Sequence, residues 1–501
     1  MNDIMNMKIL VLSLLVTITA CTSAVIDEEQ VTAAAEETQE YVLENNSIYQ
    51  LRATTVSKEI YGNQVEMFGY NKQIPGPLLH VQQGTTVWIN FTNDLFIPTT
   101  IHWHGIRLEN AYDGVPMLTQ NEIQPGEDFL YKLDFPDAGI YWYHPHMRED
   151  WQQEFGLYGN ILVEATEQSY EEADREVALI LDDVLLKEDG IEAFYDDLIT
   201  YSLMGRFGNV MLINGQTDYT INVTQGDIVR FHLTNAANSR VFNFSITHAQ
   251  MKRIGGDSGA YQKEAFVPSI IISPGERYTV DVLFEEAGIS EMLHTNPYNI
   301  YHLGTMFVQQ SDVDQKKLDE FEKEKQNPLA TTELEEFRKY LEKDPDIMLD
   351  ISVQLPHMMS MGMMQDIVEG IEWEDTMMAM NSQTTNETIT WILTDSATGK
   401  QNMDIFYHWN IGDRVKIRIT NKATTMHPMQ HPIHLHGQRF VVIAENGISN
   451  ENLVWKDTVL VPVGSYIDIV VDITNPGEWM GHCHIAEHLQ SGMMFMFTVE
   501  E

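Results

Sequence analysis

The sequence contains very little cysteine and far fewer positive than negative charges. Its two cysteines, Cys21 and Cys483, lie near opposite ends of the 501-residue chain. Lys and Arg number 30 against 74 Asp and Glu, which gives a formal net charge of −44. Such a surface repels the phosphate backbone, so we expect no nucleic acid partner. We interpret the acidity as a solubility feature, with attraction of metal cations as the alternative.

Beyond its first twenty residues the sequence also lacks long hydrophobic runs. None approaches the ~20 residues that a membrane-spanning helix needs. The start differs, because Lys8 precedes the apolar run 9–18, which is typical of a secretory leader. The string Ile18-Thr19-Ala20-Cys21 resembles a bacterial lipobox, which implies cleavage before Cys21 and its lipidation; the alternative is an ordinary signal peptide. We therefore expect an exported, lipid-anchored protein of the cell envelope, in the periplasm or on the outer surface.

Length and pattern predict an all-β protein of several domains. At roughly 150 residues per domain, this length allows about three. Short β-rich runs such as 86–91 are separated by Gly, Pro and Asn turns, which favours β-sandwiches, whereas 312–346 is charged and has apolar residues at helical spacing. The predicted segments are a lipoprotein signal peptide at 1–20, an acidic tether at 21–47, β-sandwich domains at 48–167, 168–311 and 347–501, and a helical linker at 312–346.

One stretch near the C-terminus has a pattern that indicates metal chemistry: His482-Cys483-His484, followed by His488 and Met493. In an extended segment Cys483 faces one way and the two flanking histidines face the other, so one strand can ligate metal on both faces. A thiolate, imidazoles and a weak thioether are the ligands of a blue-copper electron-transfer centre. The alternative is a buried cysteine among structural histidines.

Three further clusters match this stretch. Each contains histidines two residues apart, which places two imidazoles on the same face of an extended segment, close enough to bind adjacent metals. A lone pair of this kind is weak evidence and occurs in zinc sites too. The clusters are His102-Trp103-His104, His144-Pro145-His146 and the stretch that holds His431, His434 and His436.

With these motifs the chain resembles the three-domain bacterial multicopper oxidases, the group of laccases and copper-efflux oxidases. Ile74-Pro75-Gly76-Pro77, Asn214-Gly215-Gln216 and Trp455-Lys456-Asp457-Thr458 extend the resemblance. It implies three cupredoxin-like Greek-key β-sandwich domains and four copper ions. The implied ligands are His431, Cys483, His488 and Met493 for the type 1 copper, His102 and His434 for the type 2 copper, and His104, His144 and His484 together with His146, His436 and His482 for the type 3 pair.

The resemblance also implies an oxidase that passes single electrons from a reducing substrate to dioxygen, releasing water. Thioether ligation by Met493 predicts a low to middle type 1 potential. Asp113 matches the acid that relays protons in similar enzymes, and it is also an Asp-Gly turn residue. Leu489 stands where copper-efflux enzymes usually carry an acid. We expect a monomer.

Methionines suggest the substrate. His357 to Met364 holds five, and Met377-Met378-Ala379-Met380 follows. Soft thioethers select Cu(I), and a Met-rich segment at a similar place recruits Cu(I) in copper-efflux oxidases. We therefore expect Cu(I) as substrate, in copper homeostasis. Alternatively, the methionines pack in the core or form a flexible flap. The alternative enzyme is a laccase acting on phenols or aromatic amines. The alternative that is not an enzyme is a copper-sequestering resistance protein.

Overall fold

The computed structural model describes residues 32–166, 170–188, 190–356 and 370–501. This part of the chain is built mainly of β-strands that pair into facing sheets. The strands alternate buried and less buried positions, as in Thr86–Asn93, because successive side chains point to opposite faces. The prediction of an all-β fold is confirmed.

Two sheets lie in the N-terminal third of the chain, around a core that includes Phe91, Trp103 and Tyr131. Histidine-bearing strands form the edge of the second. In the order of their hydrogen bonding, the strands are Asn63–Tyr70, Ile48–Ile60, Thr86–Asn93 and Asp128–Asp134 in one sheet, and Glu40–Val42, Leu78–Gln82, Gly159–Glu164, Gly139–His144 and His102–His104 in the other.

The middle third has a second pair of sheets, around a core that includes Phe231, Phe244 and Val280. A short hairpin, Leu186–Lys187 with Gly190–Ile191, lies beside them. The strands are Val210–Ile213, Arg175–Val184, Ile228–Asn235, Arg277–Leu283, Gln250–Gly255 and Ala260–Phe266 in one sheet, and Tyr219–Thr224, Ile300–Gln309, Gly288–Thr295, Phe242–Ile246 and Ile270–Ile272 in the other.

The C-terminal third has a third pair, and its core contains Cys483 and Met493 among apolar side chains. One sheet therefore carries part of the metal site within the hydrophobic core. The strands are Thr390–Asp395, Ile347–Gln354, Arg414–Asn421, Ser465–Asp472, Arg439–Glu445, Ile448–Ser449 and Trp455–Lys456 in one sheet, and Phe406–Asn410, Met494–Glu500, Gly477–Cys483, His431–Leu435 and Thr458–Val461 in the other.

Helices are short in the described residues. Three follow one another in the region where the sequence predicts a helical linker, and there Leu334 and Phe337 are buried against Trp455. The α-helices are Glu149–Gln152, Gln315–Phe321, Pro328–Leu334, Met378–Asn381 and Ala486–Gln490, and the 3₁₀ helices are Asn110–Tyr112, Glu335–Tyr340 and Asn402–Asp404.

The predicted tether at 21–47 is wrong for its second half. Ala34 bridges to Ser57, and Glu36 bridges to Gln73. Glu40–Val42 then adds a parallel strand to the sheet through Leu78–Gln82. The acidic composition suggested a solvated segment. An unpaired sheet edge, however, offers backbone hydrogen bonds, and these stabilise the ordered strand more than solvation stabilises a free segment. The part of the prediction before residue 32 lies outside the described residues.

Candidate metal centre

Strand pairing brings the predicted histidines together in two places. In the first pair of sheets His102 lies opposite His144 on antiparallel strands. In the third pair His434 lies opposite His482, and Ile433 lies opposite Cys483. Side chains that face each other across such strands lie close together. Each strand pair therefore holds the histidines of two sequence motifs side by side.

The two places meet at one interface between the N-terminal and C-terminal sheets. The rings of His102 and His436 stack with centroids 4.0 Å apart, and those of His104 and His434 stack at 3.7 Å. We call the eight side chains the histidine cluster: His102, His104, His144, His146, His434, His436, His482 and His484.

Within the histidine cluster, ligand atoms form three compact groups, each with its atoms within 4.8 Å of one another. The groups reproduce the division of ligands that the resemblance implies, with His104 shared between two of them. They are His102, His104 and His434; His104, His144 and His484; and His146, His436 and His482.

The ring nitrogens show that these residues fit metal ions. Nδ1 of His102, His144 and His434 donates to a backbone carbonyl at 2.8–2.9 Å. The Nε2 atom of each is buried and has no hydrogen-bond partner among the described residues. A histidine that binds metal usually donates its other N–H in this way, which fixes the ring. The free nitrogens face the shared interior, where a cation would satisfy them.

Burial also favours the neutral imidazole, the form that binds metal. It lowers the pKa of His144 and His482 well below the usual range, and neighbouring histidines lower it further. His104, His146, His436 and His484 show the same shift, again led by burial.

The resemblance assigns His431, Cys483, His488 and Met493 to the type 1 copper, and we call these four side chains the type 1 centre. The first three form a compact group of possible ligands. Cys483 Sγ lies 3.5 Å from His431 Nδ1 and 3.9 Å from His488 Nδ1, and the two nitrogens are 3.3 Å apart. Met493 is fully buried, and its backbone carbonyl accepts a hydrogen bond from the Cys483 amide at 3.1 Å. Burial raises the pKa of the Cys483 thiol, so a thiolate there needs a bound cation.

Asp113 contacts the histidine cluster from the side opposite the free nitrogens. Its carboxylate accepts a hydrogen bond from His436 Nδ1 at 2.9 Å and lies 3.3 Å from His102 Nδ1. The residue is fully buried and ends the 3₁₀ helix Asn110–Tyr112. It therefore occupies the turn that the sequence suggested and also touches two predicted ligands.

Sequence reasoning missed the residues that hold the histidine cluster in place. His104 Nε2 donates to the Asp457 carboxylate at 3.0 Å. Arg277, from the middle sheets, donates two hydrogen bonds to the same carboxylate at 2.6 and 2.5 Å. Although burial acts to raise it, Arg277 holds the pKa of Asp457 well below its usual range. Gly105, at φ +84°, makes room for this pair, since a Cβ there would lie 2.4 Å from Asp457. Asp457 belongs to the motif Trp455-Lys456-Asp457-Thr458, whereas no local sequence pattern marks Arg277.

Trp391 was also missed, and it covers the type 1 centre. Its ring lies 4.3 Å from that of His488 and 4.6 Å from that of His431, between centroids. Its indole N–H donates to the carbonyl of Ser202, which belongs to the middle third of the chain. The middle third thus supports both groups of metal ligands without supplying any of the predicted ones.

Comparisons with known proteins agree with this geometry. Three family profiles, each described as "Multicopper oxidase", match residues 52–168, 177–290 and 357–501. A multicopper oxidase of Mycobacterium tuberculosis is 28% identical over 87% of this chain and 83% of its own length, and one of Staphylococcus aureus is 24% identical over 90% and 88%.

A solved structure shows the same fold. The multicopper oxidase of Pseudomonas thermotolerans superposes with a TM-score of 0.68 at 25% identity, over 91% of this chain and all of its own. The resemblance stated from the motifs and the predicted cupredoxin-like fold are confirmed. The chain belongs to the multicopper oxidases, copper-dependent oxidoreductases that use dioxygen as the electron acceptor.

Proposed function

We propose that this enzyme oxidises Cu(I) and reduces dioxygen to water with the electrons, and that it serves copper tolerance. Four copper ions occupy the type 1 centre and the histidine cluster in this proposal. Bound copper supplies one-electron chemistry at the first and dioxygen reduction at the second. The observation that carries the choice of Cu(I) is the set of methionines around the type 1 centre.

These methionines range from the surface to the hydrophobic core that contains Cys483 and Met493. Met426 is 47% exposed, whereas Met429 is fully buried in the core that holds Cys483. Met377 and Met380 pack against that core from a short helical segment. The run from Met358 to Met364 lies outside the described residues and stays a prediction. Thioethers are soft ligands, so a series of them from the surface to the buried core suits binding of Cu(I) better than binding of a phenol.

The chain itself links the two copper-binding groups. Cys483 is bonded through the backbone to His482 and His484, and His482 Nδ1 also donates to the Cys483 carbonyl at 2.9 Å. This gives a covalent route and a hydrogen-bonded one between the sulfur and the histidine cluster. Asp113 keeps His102 and His436 oriented, and we propose that it passes protons toward the site where water forms.

The substrate is decided by comparing donors on the copper-loaded enzyme. Oxygen consumption should be faster with Cu(I) than with Fe(II) or a phenol. Replacing Met358, Met359, Met361, Met363 and Met364 by Leu should lower the rate with Cu(I) alone. Leu at Met117 and Met348, which are 93% and 44% exposed, is the matched control. Cu(I) turnover that survives the five replacements removes the case for the Met segment.

The main alternative is a laccase acting on phenols or aromatic amines. Names of relatives do not separate the two, because one structural neighbour, from Campylobacter jejuni, is titled a metallo-oxidase and one, from Ochrobactrum, is titled as active toward lignin model compounds. Faster turnover of the phenol would favour the laccase. A sequestering protein would show no sustained oxygen consumption with any donor.

We also propose that the enzyme is a monomer anchored to the cell envelope through lipidated Cys21. No helix in the described part of the chain is long and apolar enough to cross a bilayer. Mass spectrometry of the N-terminal peptide from cell envelopes should find a diacylated or triacylated cysteine, and Cys21→Ser should release the protein. Light scattering of the Cys21→Ser protein in a buffer without detergent should give the mass of one chain.

A further inference from the structure

Two predicted copper ligands share one short segment as their hydrogen-bond partner. The segment is Asp457-Thr458, in the last third of the chain. His434 Nδ1 donates to the Asp457 carbonyl at 2.9 Å. His104 Nε2 lies 3.0 Å from the Asp457 carboxylate and 3.0 Å from the Thr458 hydroxyl. A shift of this segment would therefore move the partners of both rings together.

The same hydrogen bonds decide which ring nitrogen each histidine offers to a metal. His104 Nδ1 and His434 Nε2 are buried and have no hydrogen-bond partner among the residues that the structure describes. A neutral imidazole donates through one nitrogen and has its lone pair on the other. His104 is thus set to bind through Nδ1 and His434 through Nε2. Both choices depend on where Asp457-Thr458 lies.

Asp257, from the middle third, holds this segment by its backbone. The residue is fully buried in a loop between two strands. Its Oδ2 accepts hydrogen bonds from the amides of Asp457 and Thr458 at 3.1 and 3.3 Å. The Ser258 amide donates to the Trp455 carbonyl at 3.3 Å, which docks the loop beside the segment. Buried amides need an acceptor, and Asp257 supplies it to both.

A role limited to charge pairing does not explain Asp257. Its Oδ1 accepts hydrogen bonds from the Arg277 amide at 2.8 Å and from Lys456 Nζ at 3.3 Å. Lys456 Nζ also lies 3.0 Å from a carboxylate oxygen of Glu276. Lys456 thus has a second carboxylate, closer than the first, and its pairing with Asp257 occupies only Oδ1. The placement of Oδ2 against two amides of the segment is a separate feature.

We propose that Asp257 is a positioning residue for His104 and His434, and that it acts by fixing the backbone of Asp457-Thr458. In the ligand assignment His434 belongs to the type 2 ion and His104 to one type 3 ion. Loss of the hold should therefore disturb both ions together. The type 1 centre should be unaffected, because it lies in the core of the C-terminal sheets. The proposal holds for any electron donor.

The test separates these hydrogen bonds from the charge of Asp257. Lys456→Gln is the matched control, since it removes the ion pair and leaves Oδ2 facing the two amides. Asp257→Ala in the same Lys456→Gln background removes the acceptor without leaving a buried, unpaired lysine. Asp257→Asn in that background keeps one oxygen, which can still face the amides. We expect wild-type behaviour from the control, nearly wild-type behaviour from Asp257→Asn and a defect in Asp257→Ala.

Nitrogen-15 NMR of the copper-free proteins, labelled at histidine, gives the first readout. In Asp257→Ala, His104 and His434 should each change from one tautomer to a mixture of two. In the copper-loaded proteins, the hyperfine splitting of the type 2 EPR signal and the type 3 absorption band should change together, while the blue type 1 band remains. Copper retention against a chelator should weaken by roughly 10-fold.

Three results would overturn the proposal. One is a wild-type tautomer pattern and type 2 signal in Asp257→Ala. The second is the same change in Lys456→Gln alone, and the third is an equal change in Asp257→Asn, since each of these assigns the effect to charge. Asp257→Ser, whose hydroxyl ends short of the Oδ2 position, takes the place of Asp257→Ala if the larger cavity prevents folding.

Discussion

The type 1 centre and the histidine cluster adjoin at Cys483, yet they are built from different parts of the chain. All predicted type 1 ligands come from the last third, between His431 and Met493. The histidine cluster takes four side chains from the first third and four from the last, and Arg277 from the middle third braces it. One group depends on the packing of a single core, and the other depends on three parts of the chain meeting correctly.

The difference teaches where each group is vulnerable. Cys483 and Met493 lie in one hydrophobic core with their neighbours, so the type 1 centre should survive changes elsewhere. His104 from the first third is held through Asp457 and Arg277, each from another third. A defect at that contact should therefore reach the histidine cluster first.

The largest effect is expected from Cys483→Ser. Loss of the thiolate should abolish the blue absorption band and lower oxygen consumption by several orders of magnitude, because single electrons can no longer enter. The histidine cluster should keep its copper, measured by metal analysis and its own absorption. Cys21→Ser is the control and should retain colour and activity. A blue Cys483→Ser protein would contradict the ligand assignment.

Arg277→Ala should produce the opposite pattern. Removing one partner of a buried ion pair typically costs about 3–5 kcal/mol, and it leaves Asp457 unpaired beside His104. The free energy of unfolding should fall by that order, and copper should be lost from the histidine cluster while the blue band persists. Denaturant titration and spectra of the same samples measure both. Arg277→Lys keeps the charge but not the double hydrogen bond, so its free energy of unfolding and its copper content should lie between those of the wild type and Arg277→Ala. Equal loss of both bands would mean that the two groups are not separable.

A histidine of the middle third gives a smaller effect that depends on pH. His294 is fully buried, and burial, reinforced by Arg240, lowers its pKa from 6.5 to about 4. Between those pH values the unfolded chain binds a proton there that the folded chain does not, so stability falls as the pH falls. The loss is absent above pH 6.5 and reaches about 3 kcal/mol below pH 4.

His294→Gln should remove that part of the acid sensitivity. The change in unfolding free energy between pH 7 and pH 4 should shrink by about 3 kcal/mol relative to the wild type. The control is His302→Gln, a histidine replacement on the neighbouring strand at a side chain that is 39% exposed. The comparison with the histidine cluster sharpens here, because His294 Nδ1 accepts a hydrogen bond from the Asn243 amide at 2.9 Å, whereas Nδ1 of His102, His144 and His434 donates one.

The smallest effect is expected from Met493→Leu. Loss of the weak thioether should raise the type 1 reduction potential by tens of millivolts or more, where about 59 mV is a tenfold change for one electron. The blue band and the copper of the histidine cluster should remain. Met496→Leu, another largely buried methionine nearby in the sequence, is the control in the redox titration. An unchanged potential would remove Met493 from the ligand set.

Much of the site was predictable because its signals are local. Alternation along a strand places Cys483 on one face and His482 and His484 on the other, whatever the rest of the chain does. The same rule pairs the imidazoles of His102 with His104 and of His144 with His146. Short β-rich runs also predicted the strands, and apolar residues at helical spacing predicted the helical linker, where Leu334 and Phe337 are buried.

The sequence alone determined the ligand types, their spacing and the family, because those depend on neighbours in the chain. Only the tertiary structure decided which side chains hold the ligands in place. Arg277 meets Asp457 across 180 residues, and Trp391 meets Ser202 across 189 residues. Residues 33–47, predicted as part of a tether, instead pair along the edges of sheets, because that pairing depends on distant strands. Burial, charge pairing and backbone hydrogen bonding between distant parts of the chain have no periodicity that a sequence can display.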